Sequence, residues 1–299
     1  MKYKKFRDLQ VDVFKINFKN FRVSKIINYM PAGNDVVEVL TTNDKKYFLK
    51  IERSKVADFV TENKNINRLH EINYMKAPNI IEFIDNDNFK CIVLEKINGK
   101  RLSEFINDKN KKYSTGGNGW EKEENKKYYI EKLGEELAKI HSIKLDNMNI
   151  AKQRVINDIP PKNFYGEEDI EIKTFLDFLQ ENNYIKTFDT FIHGDFHYGN
   201  ILWYNRKLVG VLDWEYSGLG YKEQDIAWAL IYRPNQKFMN SILDIQNFLS
   251  GYKSIGEYDS EKVKWCLING LTHFYLMNKD KEYKKNLKKL MDDIIKTEL

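Results

Sequence analysis

Cysteine is almost absent. The chain of 299 residues has 2, Cys91 and Cys266, far apart and each in an apolar setting. That excludes a disulfide framework or a cysteine-built zinc site, and leads us to expect buried free thiols in a reducing compartment. Proline is scarce too, at 5 residues, and with 14% aromatic residues this argues against disorder. No apolar run reaches the roughly 18 residues of a membrane-spanning helix. The amino terminus, MKYKKFRDLQVDVF, carries Asp8 and Asp12 and never becomes apolar, which argues against a signal peptide. There is no large excess of one charge either: 49 Lys and Arg against 44 Asp and Glu leave a formal +5. A nucleic-acid partner is not favoured by so small a surplus. These absences describe a cytoplasmic globular protein, long enough for two domains or one bilobal unit. What charge excess exists is unevenly placed, with 18 basic and 13 acidic residues in 1–96 and 31 of each in 97–299.

The first third reads as a small sheet carrying one helix. Phe21–Met30 and Val36–Leu40 are β-rich runs separated by Pro31-Ala32-Gly33-Asn34-Asp35, and Thr42-Asn43-Asp44 turns the chain into Tyr47–Ile51. Val56, Phe59, Val60, Ile66, Leu69 and Ile72 follow helical spacing between Lys55 and Ile72, and Ile80–Ile84 and Cys91–Glu95 read as two more strands. After Asn98-Gly99 the pattern turns helical. Residues 107–125 have the composition of a surface loop or lid, Ile130, Leu133, Leu137 and Ile140 mark one helix, and Val263, Leu267, Leu271 and Phe274 mark a stripe on another. The expected division is 1–96 and 97–299.

The most informative stretch is Phe191–Asp225. Ile201-Leu202-Trp203 and Leu208–Leu212 flank the turn-rich Tyr204-Asn205-Arg206-Lys207 and read as a β-hairpin. Pairing Trp203 with Leu208 sets Asn200 opposite Val211, one step from Asp213, and glycines on either side let Asp195 return to the same end. Mg²⁺ takes hard oxygen ligands, one or two carboxylates plus substrate phosphates, and Asn200 and Asp213 suit it. Asp195 is then left to orient or deprotonate an attacking hydroxyl.

His193-Gly194-Asp195-Phe196-His197-Tyr198-Gly199-Asn200 and Asp213 resemble the catalytic and metal motifs of the aminoglycoside phosphotransferase and choline kinase family, relatives of the protein kinases. The resemblance implies an α+β, bilobal protein-kinase-like fold, with a small antiparallel sheet and one helix in the amino-terminal lobe and a mainly helical carboxyl-terminal lobe. It also implies a lysine on the third strand and a glutamate on the following helix. Alternation puts Lys50 on the opposite face of its strand from Tyr47, Leu49 and Ile51, and Glu62 interrupts the helix's inward stripe, with Asp58 and Glu71 as competitors. Gly33 and Asn34 fall where the phosphate loop would lie, although the stretch lacks G-x-G-x-x-G, and Glu95 and Ile97 fall at the hinge expected to meet the nucleobase. Gly194 in place of arginine, Asp213-Trp214-Glu215 in place of Asp-Phe-Gly and the lack of Ala-Pro-Glu favour a small-molecule kinase over a protein kinase. Asp225 is either a brace for the catalytic loop or a helix-start residue.

The implied activity is transfer of the γ-phosphoryl group of ATP or GTP, with Mg²⁺, to a hydroxyl of an antibiotic by a monomer. An aminoglycoside leads, ahead of macrolides, hygromycin-type antibiotics, choline, homoserine or a sugar, and a nucleotide-binding module without catalysis is the non-enzyme alternative. A polycationic acceptor calls for carboxylates, available in Glu121–Glu124, Glu167–Glu171 and Glu257–Glu261. Trp228, Tyr232, Trp265, Phe274 and Tyr275 offer an aromatic wall for a macrolide or a choline-type cation. The basic excess of residues 1–96 falls in the lobe that contains Lys50 and the phosphate-facing loop, where a nucleotide's negative charge is expected to be accommodated.

Overall fold

Alternation of apolar residues builds the first sheet. β1 (Val23–Met30), β2 (Asp35–Thr41), β3 (Lys46–Ile51), β4 (Ile80–Asp85) and β5 (Lys90–Glu95) form a five-stranded sheet in the order β1-β2-β3-β5-β4. All four pairings are antiparallel, and β3 sits between β2 and β5 with Lys50 opposite Val36 on one side and Ile92 on the other. One face packs Ile26, Val37, Val39, Tyr47, Leu49, Ile51, Cys91 and Val93 into a core. The segment before β1 closes that core with Val13, Ile16 and Phe18, and the Phe18 and Phe21 rings stack at 4.5 Å. Phe21 therefore belongs to the covering segment and the strand starts two residues later, at Val23.

The structure, a computed structural model, describes residues 7–30, 32–53, 58–102, 123–161, 170–182, 186–234, 236 and 239–299. Met1–Gly99 and Val209–Tyr216 form one unit, and Lys100–Leu208 and Ser217–Leu299 form the other. In the first unit α1 (Phe59–Glu71) starts where the Asp58 carboxylate accepts from the Thr61 backbone N–H, and this cap sets a later start than Lys55. Phe59, Glu62, Asn65, Ile66 and Leu69 are its buried positions, whereas Val60 and Ile72, expected on the inward stripe, are exposed.

The second unit is mainly helical: α2 (Glu123–Ser142), α3 (Ile170–Glu181), α4 (Lys222–Leu230), α5 (Ile242–Lys253), α6 (Ser260–Met277) and α7 (Lys281–Lys296). The lid expected over 107–125 falls outside the described residues as far as 122, and α2 begins within its last three positions. Ile130, Leu133, Leu137 and Ile140 are buried on α2 as their spacing predicts. α2 and α5 meet backbone to backbone, since a Cβ on Gly134 would stand 2.0 Å from the Phe248 carbonyl oxygen and one on Gly251 2.0 Å from that of Glu131. α6 carries more than one apolar stripe, because every residue from Val263 to His273 is buried, as expected of a helix surrounded by others.

Short strands complete the frame. β6 (Thr190–Ile192) pairs antiparallel with β9 (Gly218–Gly220), Phe191 opposite Leu219. β7 (Ile201–Tyr204) and β8 (Lys207–Val211) pair through a two-residue turn in which Asn205 and Arg206 have φ of 47° and 63°, the left-handed geometry that suits a tight hairpin. Cys91 and Cys266 are buried free thiols. No helix among the described residues is long and apolar enough to cross a membrane.

Candidate active site

In the first unit the chemistry gathers on Lys50. Its Nζ lies 2.7 Å from Glu62 Oε2, 2.5 Å from Asp213 Oδ1 and 3.4 Å from Glu215 Oε2. Strand alternation turns Lys50 away from the sheet core toward Phe59 and Glu62 of α1, and both members of the Lys50–Glu62 pair are buried. Of the competing acids, Asp58 serves as the helix cap and Glu71 is exposed, so Glu62 is the partner. Burial opposes the Lys50 charge, but Asp213, Glu62 and Glu215 outweigh it and hold the ammonium well above its ordinary value. Burial, together with the charges of Asp213 and Glu215, pushes the Glu62 carboxyl up to about 7 against the pull of Lys50.

The segment carrying Asp213 and Glu215 is held from behind. The Val211 N–H donates to the Lys76 carbonyl at 2.8 Å, and the Trp214 indole, wholly buried and edge-on to Tyr74, donates to the Val211 carbonyl at 2.9 Å. Asp213 itself has φ +71°, a left-handed conformation that aspartate tolerates better than most residues. Glu62, Asp213 and Glu215 each bring an oxygen within 4.8 Å of the others, so three carboxylates face one ammonium. The centre itself is acidic, with three carboxylates around Lys50. The amino-terminal basic excess resides at solvent-facing positions such as Lys19, Lys25, Lys45 and Lys46. Hard oxygen donors in such an excess suit a divalent cation carrying a polyphosphate.

The β1–β2 turn is tied to the segment before the sheet. Arg7 Nη2 donates to the carbonyls of Ala32, Gly33 and Asn34, and its Nε donates to Asp35 at 3.0 Å. Asp35 is fully buried and also accepts from Arg53 and Tyr29. Burial alone would raise its carboxyl, but these hydrogen bonds hold it below the usual carboxylate range. The Asn34 side chain donates to Glu215 at 3.3 Å. At the end of β5, the exposed Glu95 carboxylate accepts from the Asn79 amide at 2.7 Å, and Ile97 follows, half-buried.

In the second unit Asp195 is enclosed by donors. Trp228 Nε1 donates to its Oδ1 at 2.8 Å, Arg154 Nη2 pairs with the same oxygen at 2.7 Å, and Asn200 Nδ2 donates to Oδ2 at 3.1 Å and to the Asp195 carbonyl at 3.0 Å. Asn200 is thereby oriented through its amide nitrogen, and its amide oxygen is of the hard kind that could hold a cation. The loop beneath is braced by Asp225, whose two carboxylate oxygens accept from the His193 and Gly194 backbone N–H groups at 2.9 and 3.0 Å. His141 Nε2 lies 3.1 Å from Asp225, and its Nδ1 lies 2.8 Å from the Tyr252 hydroxyl. Of the two readings of Asp225 this is the brace. Gly194 passes over it at φ +76°, where a side chain would be strained.

Arg154 and Arg233 were not singled out from the sequence, and Trp228 was read only as part of an aromatic wall. The Trp228 ring is already covered by two guanidinium groups, Arg154 at 4.2 Å and Arg233 at 4.7 Å from its centroid. Trp265 is a core residue, buried and donating to the Leu179 carbonyl. Of the acids considered for a cationic acceptor, Asp259 caps α6, Glu261 pairs with Lys264 at 3.2 Å and Glu257 is exposed. The side chains of Glu121–Glu124 and Glu167–Glu171 lie outside the described residues. Burial, reinforced by Arg233 and Arg154, holds the His197 imidazole well below its ordinary value and so neutral, with Nδ1 accepting from the Gly199 N–H at 3.0 Å.

Comparison with known proteins bears on the fold and the family. Among solved structures, the chain is similar to an amicoumacin kinase in complex with AMP-PNP, Ca²⁺ and its antibiotic, with TM-score 0.56, 14% identity, and 89% of this chain and 86% of that one covered. It is similar to a spectinomycin phosphotransferase in complex with ADP and spectinomycin, with TM-score 0.52, 16% identity and coverage of 90% and 89%. It is also similar to a thermostable mutant of an aminoglycoside phosphotransferase in ternary complex with AMP-PNP and hygromycin B, with TM-score 0.61, 12% identity and coverage of 93% and 95%. These likenesses establish the kinase-like α+β fold. No curated protein matched. A family model described as the phosphotransferase enzyme family matches residues 31–258, well over half of the chain, and the chain belongs to that family.

Proposed function

We propose that this protein is a small-molecule kinase that moves the γ-phosphoryl group of ATP or GTP to a hydroxyl. The observation that carries this reading is the Lys50 cluster, a buried lysine fixed at 2.7 Å by a helix glutamate and at 2.5 Å by Asp213. Lys50 holds the α- and β-phosphates, and Glu62 aims it. Gly33 and Asn34 lie over the phosphates, and the backbone at Glu95 and Ile97 meets the nucleobase. Asn200 and Asp213 are the residues that would hold Mg²⁺, whose chemistry is to neutralise phosphate charge. The amicoumacin kinase complex with AMP-PNP and Ca²⁺ supports a nucleotide donor and a divalent cation.

Asp195, steadied by Trp228, Arg154 and Asn200, accepts the hydrogen bond of the acceptor hydroxyl and points its oxygen at phosphorus. The new O–P bond forms as the bond from γ-phosphorus to the nucleoside diphosphate breaks, and the hydroxyl proton leaves by way of the Asp195 carboxylate. The similarity to kinases of amicoumacin, spectinomycin and hygromycin B supports a small hydroxyl-bearing acceptor, an antibiotic among the candidates, without fixing its charge. A coupled assay of diphosphate release tests the reading, run with ATP and GTP against antibiotics, choline, homoserine, sugars and casein. The expected result is acceptor-dependent release with a small molecule and none with casein. Failure to bind either nucleotide contradicts it.

A further inference from the structure

The charge around Asp195 is the reverse of what a polycationic acceptor needs. Arg154 and Arg233 both lie over the Trp228 ring, and Arg154 also donates from Nε to the Gly194 carbonyl at 3.2 Å. Arg101, Arg154 and Arg233 all act on His197 as neighbouring cations. Opposing them at the surface of the loop is Asp195, while the Asp225 carboxylate is consumed beneath it by two backbone N–H groups and His141. Arg154 is paired with Asp195, whereas Arg233 is held by backbone carbonyls. Its Nη1 and Nη2 donate to the carbonyls of Ile231 and Trp228 at 3.1 and 2.9 Å, and among the described residues it forms no ion pair. Burial lowers its guanidinium to about 10, with Asp195 acting in the opposite direction. A half-buried guanidinium with donors to spare is stabilised by a carboxylate or phosphate oxygen, and its planar fork matches either.

Resting on the kinase reading above, we infer that the acceptor carries an anionic group, a carboxylate or a phosphate, that seats on Arg233 beside Arg154 while its hydroxyl meets Asp195. The reaction is then an O–P bond formed on a hydroxylated anion, with the diphosphate and a proton released. Amino groups on an acceptor, or a quaternary ammonium drawn to the Trp228 ring, would lie against the two guanidiniums already placed over that ring. Arg233 is in this account the residue that selects for charge.

The test uses the full chain with Mg²⁺ and its preferred nucleotide, and compares acceptors that differ chiefly in charge. One set is gluconate, glucose 6-phosphate, glucose and glucosamine, a second is 3-hydroxybutyrate and 3-hydroxybutyramide, and kanamycin is the polycation. An anionic member should exceed its neutral counterpart by about tenfold in kcat/KM, with glucosamine and kanamycin lowest. Gluconate against glucose 6-phosphate tells carboxylate from phosphate. Arg233→Gln should lower kcat/KM for the anion by about tenfold, mostly through KM, and Arg233→Lys should restore part of it. Should Arg233→Gln not fold, the charge preference of the unsubstituted chain decides. A neutral or cationic member that wins, or no anionic member above hydrolysis by water, overturns the inference. Nucleotide binding, measured separately by calorimetry, tells the two failures apart: binding with a cationic preference leaves the kinase reading standing, whereas no binding removes both.

Discussion

The Trp228 indole donates to Asp195 Oδ1 across 2.8 Å, and Arg154 reaches the same oxygen at 2.7 Å. One carboxylate oxygen is thus fixed by an indole N–H and by the charge of a guanidinium, and the Asn200 amide N–H holds the other oxygen. Trp228→Phe keeps an aromatic face for the arginines, though a smaller one, and deletes the N–H. A hydrogen bond to a charged group contributes about 1.5–3 kcal/mol, so kcat should fall by about 10- to 100-fold with nucleotide KM little changed. Steady-state kinetics on the variant check this, and an unchanged kcat would remove Trp228 from the positioning of Asp195.

Glu62→Gln separates orientation from stability. Three carboxylates surround Lys50, and burial already pushes Glu62 up to about 7, so a neutral amide relieves repulsion as well as losing an ion pair. Unfolding free energy should change by less than about 1 kcal/mol, while kcat/KM falls by about 10-fold or more because Lys50 loses its anchor on α1. Denaturant titration and kinetics on the same preparation measure both numbers.

The α2–α5 contact sets a stability test away from the chemistry. Gly251→Ala places a Cβ 2.0 Å from the Glu131 carbonyl oxygen and 2.7 Å from its carbonyl carbon and Cα, all backbone atoms that can yield only if a helix shifts. The cost should be about 1–3 kcal/mol, read as a lower unfolding midpoint. Gly33→Ala, where an added Cβ meets nothing within 4 Å, is the control and should change stability by less than about 0.5 kcal/mol.

Two buried imidazoles should make the fold acid-sensitive, in opposition to Glu62, whose raised carboxyl takes up a proton on folding over the same range. Burial lowers the imidazoles of His273 and, more strongly, His197, so both stay neutral when folded at a pH where the unfolded chain protonates them. Their folded values lie below the ordinary 6.5, so their stabilisation is full above that pH and is lost as pH falls through and below it. In the Glu62→Gln background, which removes that opposing carboxyl, unfolding free energies at pH 7.5, 6 and 5 should decline, by up to about 1.4 kcal/mol per pH unit for each histidine. A flat or rising profile would contradict the neutral assignments.

How much of this could be read from residue order varies with the physics. Lys50 and Glu62 were legible because a strand's two-residue period and a helix's stripe each place one side chain, and Glu62 kept its inward place although the helix starts later than the pattern suggests and Val60 and Ile72 are exposed. Asp195, Asn200 and Asp213 were legible as an ordered motif around a hairpin. Arg154 and Arg233 carry no such mark: one lies between α2 and α3 and the other beyond α4, and only tertiary packing brings both to Trp228. Val13, Ile16 and Phe18 were overlooked as core because they sit in irregular chain with neither period. β6 and β9 are three residues each, too short to show alternation, and pairing across the intervening chain defines them.

The central claim is that Asp195 directs a phosphoryl group onto a hydroxyl, and Asp195→Ala tests it most directly. With an acceptor that the unsubstituted chain phosphorylates, transfer is measured as acceptor-dependent diphosphate release, and nucleotide binding is measured by calorimetry on the same sample. The account predicts transfer lowered by about 100-fold or more with nucleotide affinity within about threefold, because Lys50, Glu62 and Asp213 are untouched. Transfer at the unsubstituted rate would contradict it.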